Sequence, residues 1–115
     1  MYQVGYQVTK LDLNKMEDQV KFNEIVSKYR YNDTFNCHIP FTMKKHYHID
    51  DEVRYFLSGN AEFIVGDNSI KCGPGTLIEI SKNVIHSFRY GGGEELKVQR
   101  FFEDEEKYKE YYVQD

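Results

Sequence analysis

The sequence predicts an all-β single domain, a sandwich or small barrel of short strands, with one helix near the N-terminus and another in the tail. Three observations carry this reading. Between residues 35 and 102 the chain breaks into short apolar or alternating runs, each closed by a turn signal rich in glycine, asparagine or proline. Aromatic residues are abundant, ten Tyr and eight Phe without a Trp, as expected where a small β-structure needs large side chains to fill it. At 115 residues the chain can build one hydrophobic core but not two. It divides into an N-terminal strand and helix (1–34), a β region (35–102) and a tail (103–115).

The elements follow in order. Tyr2, Val4, Tyr6 and Val8 alternate with Gln3, Gly5 and Gln7, the pattern of a half-buried strand. From Leu13 to Tyr29 the period lengthens, and Leu13, Met16, Val20, Ile25, Val26 and Tyr29 trace a helical stripe with Asp12 or Asn14 as cap. Phe35 to Lys44 reads as one strand, with Pro40 marking an edge or bulge. Val53 to Leu57 runs into Ser58-Gly59-Asn60, and Ala61 to Val65 into Gly66-Asp67-Asn68. Ser69 to Lys71 leads through Cys72-Gly73-Pro74-Gly75 to Thr76–Ile80. Val84 to Tyr90 ends at Gly91-Gly92-Gly93, and Glu95 to Phe102 closes the series. The charged tail, Glu103 to Val113, is expected as a short helix whose acidic opening suits the helix dipole.

Composition narrows the function. Fifteen basic against nineteen acidic residues give a net charge of -4, which argues against nucleic acid. A mean hydropathy of -0.70 and the lack of a long apolar run argue against a membrane span. Met1-Tyr2-Gln3-Val4-Gly5 lacks the basic-then-apolar build of a secretory signal. Cys37 and Cys72 lie far apart outside any CxxC pattern and read as reduced structural thiols, consistent with a cytoplasmic protein.

Four residues have the spacing of a metal site. Alternate residues of a strand share a face, so His46 and His48 can aim both imidazoles at one point. Glu52 follows an acidic bend, and His86 lies where a neighbouring strand can bring it alongside. Nitrogen and carboxylate ligands without cysteine suit iron, nickel, manganese or zinc. Four such ligands on a six-coordinate ion leave two positions for substrate or oxygen, which gives the site a catalytic character. Strand parity extends the picture. If His86 points inward, so do Val84, Phe88 and Tyr90. In the last strand Leu96, Val98, Arg100 and Phe102 share the more apolar face, which carries Arg100 inside. Arg54 lies two residues beyond Glu52 and on its side. A buried arginine requires an anionic partner, either an acidic residue such as Glu79 or an anionic substrate. His38 reads as structural, and Lys44 and Lys45 as solvated strand-end charges.

His46-x-His48-x-x-x-Glu52, followed after six residues by Gly59, resembles the first cupin motif. Gly75, five residues, Ser81-Lys82-Asn83, two residues and His86 resemble the second. Within that superfamily, His48-Ile49-Asp50-Asp51-Glu52-Val53-Arg54-Tyr55 with Leu57-Ser58-Gly59 most resembles the acireductone dioxygenases. The likeness runs on through Phe63, Gly75, His86 and Phe88 to Arg100-Phe101-Phe102, over about the last seventy residues. It implies a cupin domain, a double-stranded β-helix or jelly-roll barrel. It also implies a dioxygenase that cleaves an acireductone, 1,2-dihydroxy-3-keto-5-methylthiopentene, with O2 in methionine salvage. Carried over residue by residue, His46, His48, Glu52 and His86 are the ligands of one divalent ion. That ion is Fe2+ or Ni2+, with Zn2+, Mn2+ or Co2+ as ions acquired on purification. Arg54 is a substrate or Glu52 contact, Arg100 a basic position on a late strand, and Phe63 and Phe88 line the pocket. In the family the iron form yields formate and a keto acid; the nickel form yields formate, carbon monoxide and a shorter acid. The implied partners are a small anionic substrate and O2, with a homodimer formed through the Tyr2–Val8 edge.

This chain departs from the family in three places. It is shorter before His46, Thr42-Met43-Lys44-Lys45 replaces an aromatic, acidic stretch, and Ser81 and Asn83 replace a Pro-x-Gly turn. Asn83 can adopt the left-handed conformation that such a turn needs. Two other readings stand beside the dioxygenase: a cupin enzyme for another enediol, diketone or sugar-like substrate, and a non-enzymatic metal- or ligand-binding module.

Overall fold

The structure, a computed structural model, describes residues 5–103 and 109–113. Eleven strands and one helix succeed one another: β1 (Tyr6–Lys10), α1 (Met16–Val26), β2 (Tyr31–Cys37), β3 (Phe41–Thr42), β4 (His46–Tyr47), β5 (Glu52–Ser58), β6 (Ala61–Val65), β7 (Asn68–Cys72), β8 (Thr76–Ile80), β9 (Ser87–Tyr90), β10 (Leu96–Phe102) and β11 (Tyr111–Tyr112). A five-stranded sheet has the order β1-β8-β5-β10-β2, a four-stranded sheet β3-β9-β6-β7, and β11 pairs with β4. No helix among the described residues is long and apolar enough to cross a membrane.

Period two explains how the layers form. In β5, Glu52, Arg54 and Phe56 share one face while Val53 and Tyr55 share the other, and all five are buried. The inner face joins the four-stranded sheet around Phe56, Ala61, Phe63, Cys72, Ile78, Ile80, Phe88, Tyr90, Leu96 and Val98. The outer face, with Leu11, Val53, Tyr55, Leu77 and Phe101, is covered by Leu13, Phe22, Ile25, Val26 and Tyr29 of the helical segment. Phe22 meets Tyr55 and Phe101 edge-on, with ring centroids 5.1 and 5.7 Å apart. The middle of the five-stranded sheet is therefore covered on both faces, which is why β5 is buried from Glu52 to Phe56 without alternation, while Leu57 beyond them is exposed.

Five expectations need correction. The stretch from Phe35 to Lys44 is two strands, because β2 ends at Cys37 and β3 begins only after Pro40, which cannot donate to a ladder. At its other end β2 reaches back through Asn32-Asp33 to Tyr31, ahead of the expected start of the β region at residue 35, because β10 pairs with it from Leu96↔Cys37 to Phe102↔Tyr31. The helix starts at Met16 and packs through its C-terminal half; Met16 and Val20 are 72% and 51% exposed. Lys15 is its N-cap and gives no side-chain cap bond, while the Asp12 carboxylate accepts instead from the Asn14 N–H within the preceding turn. The N-terminal strand begins at Tyr6 with Val8 38% exposed, and residues 1–4 of that expectation lie outside the described residues. In the tail, Tyr111–Tyr112 is a strand and not part of a helix, and 104–108 lie outside the described residues. The reading of Asn83 holds, with φ at 66° in the turn before His86.

Candidate metal centre

Two strands and a turn bring the four residues together. β4 carries His46, and Asn83 turns the chain so that His86 forms an antiparallel bridge with His46. The bridge is closed in both directions, by His46 N–H to the His86 carbonyl at 2.9 Å and by His86 N–H to the His46 carbonyl at 2.8 Å. The turn is tied to the ligand segment by the Asn83 N–H donating to the His48 carbonyl at 2.7 Å. Glu52, first residue of β5, lies on the inner face of the adjoining sheet.

The imidazoles of His46, His48 and His86 are 0%, 3% and 1% exposed, and one ring nitrogen of each lies within 4.8 Å of the other two, so the three can hold a metal ion. Glu52 Oε2 is 3.7 Å from His48 Nε2 and Oε1 is 3.9 Å from His86 Nε2. Those distances are too long for hydrogen bonds, but two donors each about 2.1 Å from one ion stand about 3–4 Å apart. Nδ1 of His46, His86 and His48 lies 2.6, 2.8 and 3.1 Å from the carbonyl oxygens of Lys44, Val84 and Lys109. A carbonyl can only accept, so each Nδ1 carries a hydrogen, which in a neutral ring leaves the lone pair on Nε2. Nε2 of His46 and of His86 is buried with no hydrogen-bond partner among the described residues. Buried polar atoms rarely stay unsatisfied, because the loss costs about 1–3 kcal/mol each, and a shared cation accounts for both. The protonation state fits as well. Burial, followed by the Arg54 charge, pushes the His86 imidazole down to about 2, and burial also lowers His48. Neutral imidazoles are the form that ligates metals.

Beside the cluster lies a cavity of about 290 Å³. Its walls are mainly Phe35, Phe41, Phe56, Phe88, Leu96 and Val98, with Met43, Arg54, Arg100 and Glu110 adding flexible or charged groups. The histidines do not line it. Arg54 joins the two spaces: its guanidinium is 3.1 Å from Glu52 Oε1, lies over the Phe88 ring at 4.6 Å, and faces the cavity.

The remaining sequence candidates divide. Phe88 lines the cavity. Phe63 does not; it is fully buried behind the site, 5.3 Å from the His86 ring and 5.4 Å from Phe88. Arg100 reaches the cavity with its charge already paired, since Nε and NH2 donate to Asp33 at 2.7 and 2.6 Å. Arg54 pairs with Glu52 and Arg100 with Asp33. Sequence reasoning missed Asp33 because it lies ahead of the expected start of the β region at residue 35; the shared parity of Tyr31, Asp33, Phe35 and Cys37 was the available signal. It also missed Lys109 and Glu110, which no local pattern marks.

The model of the ARD/ARD' family matches residues 4–110. An acireductone dioxygenase of Ciona intestinalis is 26% identical over 87% of this chain, and one of Coprinopsis cinerea is 32% identical over 75%. The matches cover 66% and 52% of those proteins, so the chain spans between about half and two thirds of these curated relatives. Among solved structures, the acireductone dioxygenase from Bacillus anthracis with a cadmium ion in its active center superposes with a TM-score of 0.65 at 19% identity. That likeness covers 93% of this chain and 83% of the other, and it establishes the cupin fold.

Proposed function

This chain belongs to the ARD/ARD' family, and from that premise we propose that it is a metal-dependent dioxygenase that cleaves an acireductone with O2. His46, His48, Glu52 and His86 hold one divalent ion, Fe2+ or Ni2+, and the reaction belongs to methionine salvage in the cytoplasm. The observation that carries the reading is the convergence of three buried imidazoles, with one ring nitrogen of each within 4.8 Å of the others, beside the Glu52 carboxylate. Nitrogen and oxygen donors without thiolate suit both ions.

When bound, the ion supplies Lewis acidity toward enediol oxygens and a site for oxygen chemistry. The chain's own residues supply the surroundings. Lys44 and Val84 hold His46 and His86 through their carbonyls, so these rings need little reorganisation on binding. Arg54, braced by Glu52 and Phe88, places a fixed positive charge between the ligand cluster and the cavity, where it holds an enediolate oxygen. The apolar walls exclude water and take an apolar side chain. Arg100, paired with Asp33, stands on the cavity wall as a second cation, while Arg54 stands between the cavity and Glu52 and is the anion contact nearer the ligand cluster.

The test is anaerobic mixing of the iron-loaded protein with an acireductone analogue, followed by oxygen. Loss of the enediol absorbance is expected to be at least ~100-fold faster than with His86→Ala, since an incomplete ligand set weakens both binding and reaction. A rate no faster than that variant's removes the dioxygenase assignment.

A further inference from the structure

The three histidines are not held alike. His46 and His86 each lean on the carbonyl two residues earlier in the chain, Lys44 and Val84. For His48 the corresponding acceptor is the carbonyl of His46, and the His86 N–H already occupies it at 2.8 Å. His48 Nδ1 lies instead 3.1 Å from the carbonyl of Lys109, 61 positions along the chain.

We propose that the C-terminal strand is a working part of the metal centre: through its carbonyl, Lys109 is the positioning residue that aims His48 at the ion. The inference rests on the reading of His48 as a ligand. β11 is clasped to β4, with Tyr111 opposite Tyr47 and Tyr112 opposite His46. Val113 N–H donates to the Lys45 carbonyl at 3.0 Å, and the Tyr111 ring stacks on Tyr47 at 5.3 Å. By strand parity Tyr112 shares the ligand face of His46, with ring centroids 5.8 Å apart. Its hydroxyl donates to Glu110, which lines the cavity. One short segment thus touches a ligand and the cavity wall. β11 and β4 form a two-stranded sheet, so docking of the segment and ion binding are coupled through His48: the docked strand orients the ring, and an ion on His48 holds the strand.

The test uses the full-length chain with Co2+ as probe, comparing Tyr111→Pro, which breaks the clasp, with Tyr111→Phe, which keeps the stacked ring. Affinity is read by chelator competition, coordination by the visible Co2+ spectrum, and stability by metal-free Tm. Tyr111→Pro is expected to bind Co2+ at least ~10-fold more weakly with an altered spectrum, the loss typical of a displaced outer-shell partner. Its metal-free Tm stays close to that of the parent, and Tyr111→Phe restores affinity and spectrum. Binding within twofold of the parent with an unchanged spectrum overturns the proposal, as does a loss matched by an equal loss of metal-free stability. A parent chain that binds no Co2+ overturns this inference and the ligand assignment together. A parent that binds Co2+ yet fails to consume an acireductone when loaded with iron overturns only the proposed reaction.

Discussion

His86 is 1% exposed, packed between the Phe63 ring and the other imidazoles, and its proton affinity reports that burial. Unfolded, the imidazole titrates at its ordinary 6.5; folded, it is pushed down to about 2. Between those values the unfolded chain holds a proton that the folded one refuses, so acid favours unfolding. Stability of the metal-free protein is therefore complete above about pH 6.5 and falls as pH drops, by up to about 1.4 kcal/mol per pH unit from this residue. His48, lowered by the same burial, acts in the same direction. Urea unfolding at pH 7.5 and pH 5 checks this. The metal-free parent is expected to lose stability across that range, and His86→Asn to lose less. Equal stability at both values contradicts the burial argument.

At the scale of elements, one turn fixes how β5 and β6 meet the end of β10. Gly59, between them, has φ +78°, and a Cβ there would stand 2.7 Å from the Glu95 carbonyl oxygen and 2.8 Å from the Leu96 Cα. Gly66, in the β6–β7 turn, has φ +58° and open space around it. Gly66→Ala therefore pays only for the left-handed backbone, about 1–2 kcal/mol. Gly59→Ala adds a backbone clash, for a total of about 2–4 kcal/mol. Denaturant titration of the two variants separates the terms, and equal losses would show that β10 yields without cost. The helix shows the opposite case. Its stripe was legible as a period, but which half of the stripe is buried depends on where Tyr55 and Phe101 present their rings.

At the scale of the whole molecule, an ion that binds the folded ligand cluster and not the dispersed chain must stabilise the fold. At a free concentration a hundredfold above its dissociation constant it adds about 2.7 kcal/mol, which for a chain of this size raises Tm by roughly 10 °C. Calorimetry with Ni2+ or Co2+ is expected to show that rise in the parent and not in His86→Ala or Glu52→Ala. A parent Tm that ignores both ions would argue against a preformed centre.

The sequence by itself determined what local spacing can encode. The alternation of His46 with His48 and of Glu52 with Arg54 sets which side chains share a face, and period two needs no knowledge of the partner strand. Turn chemistry was equally local, as the left-handed Asn83 and the glycine at 59 show. An all-β sandwich or small barrel followed from those runs and turns, and the resemblance of the His46–Gly59 and Gly75–His86 motifs implied the cupin. Tertiary structure decided which groups answer one another across long separations. Asp33 meets Arg100 because β2 registers against β10. Phe63 lies against His86 and Phe88 because β6 pairs with β9 at Phe63↔Phe88. Lys109 supports His48 because β11 returns to β4. Register over tens of residues is set by the closure of the whole sheet, and no short motif contains it.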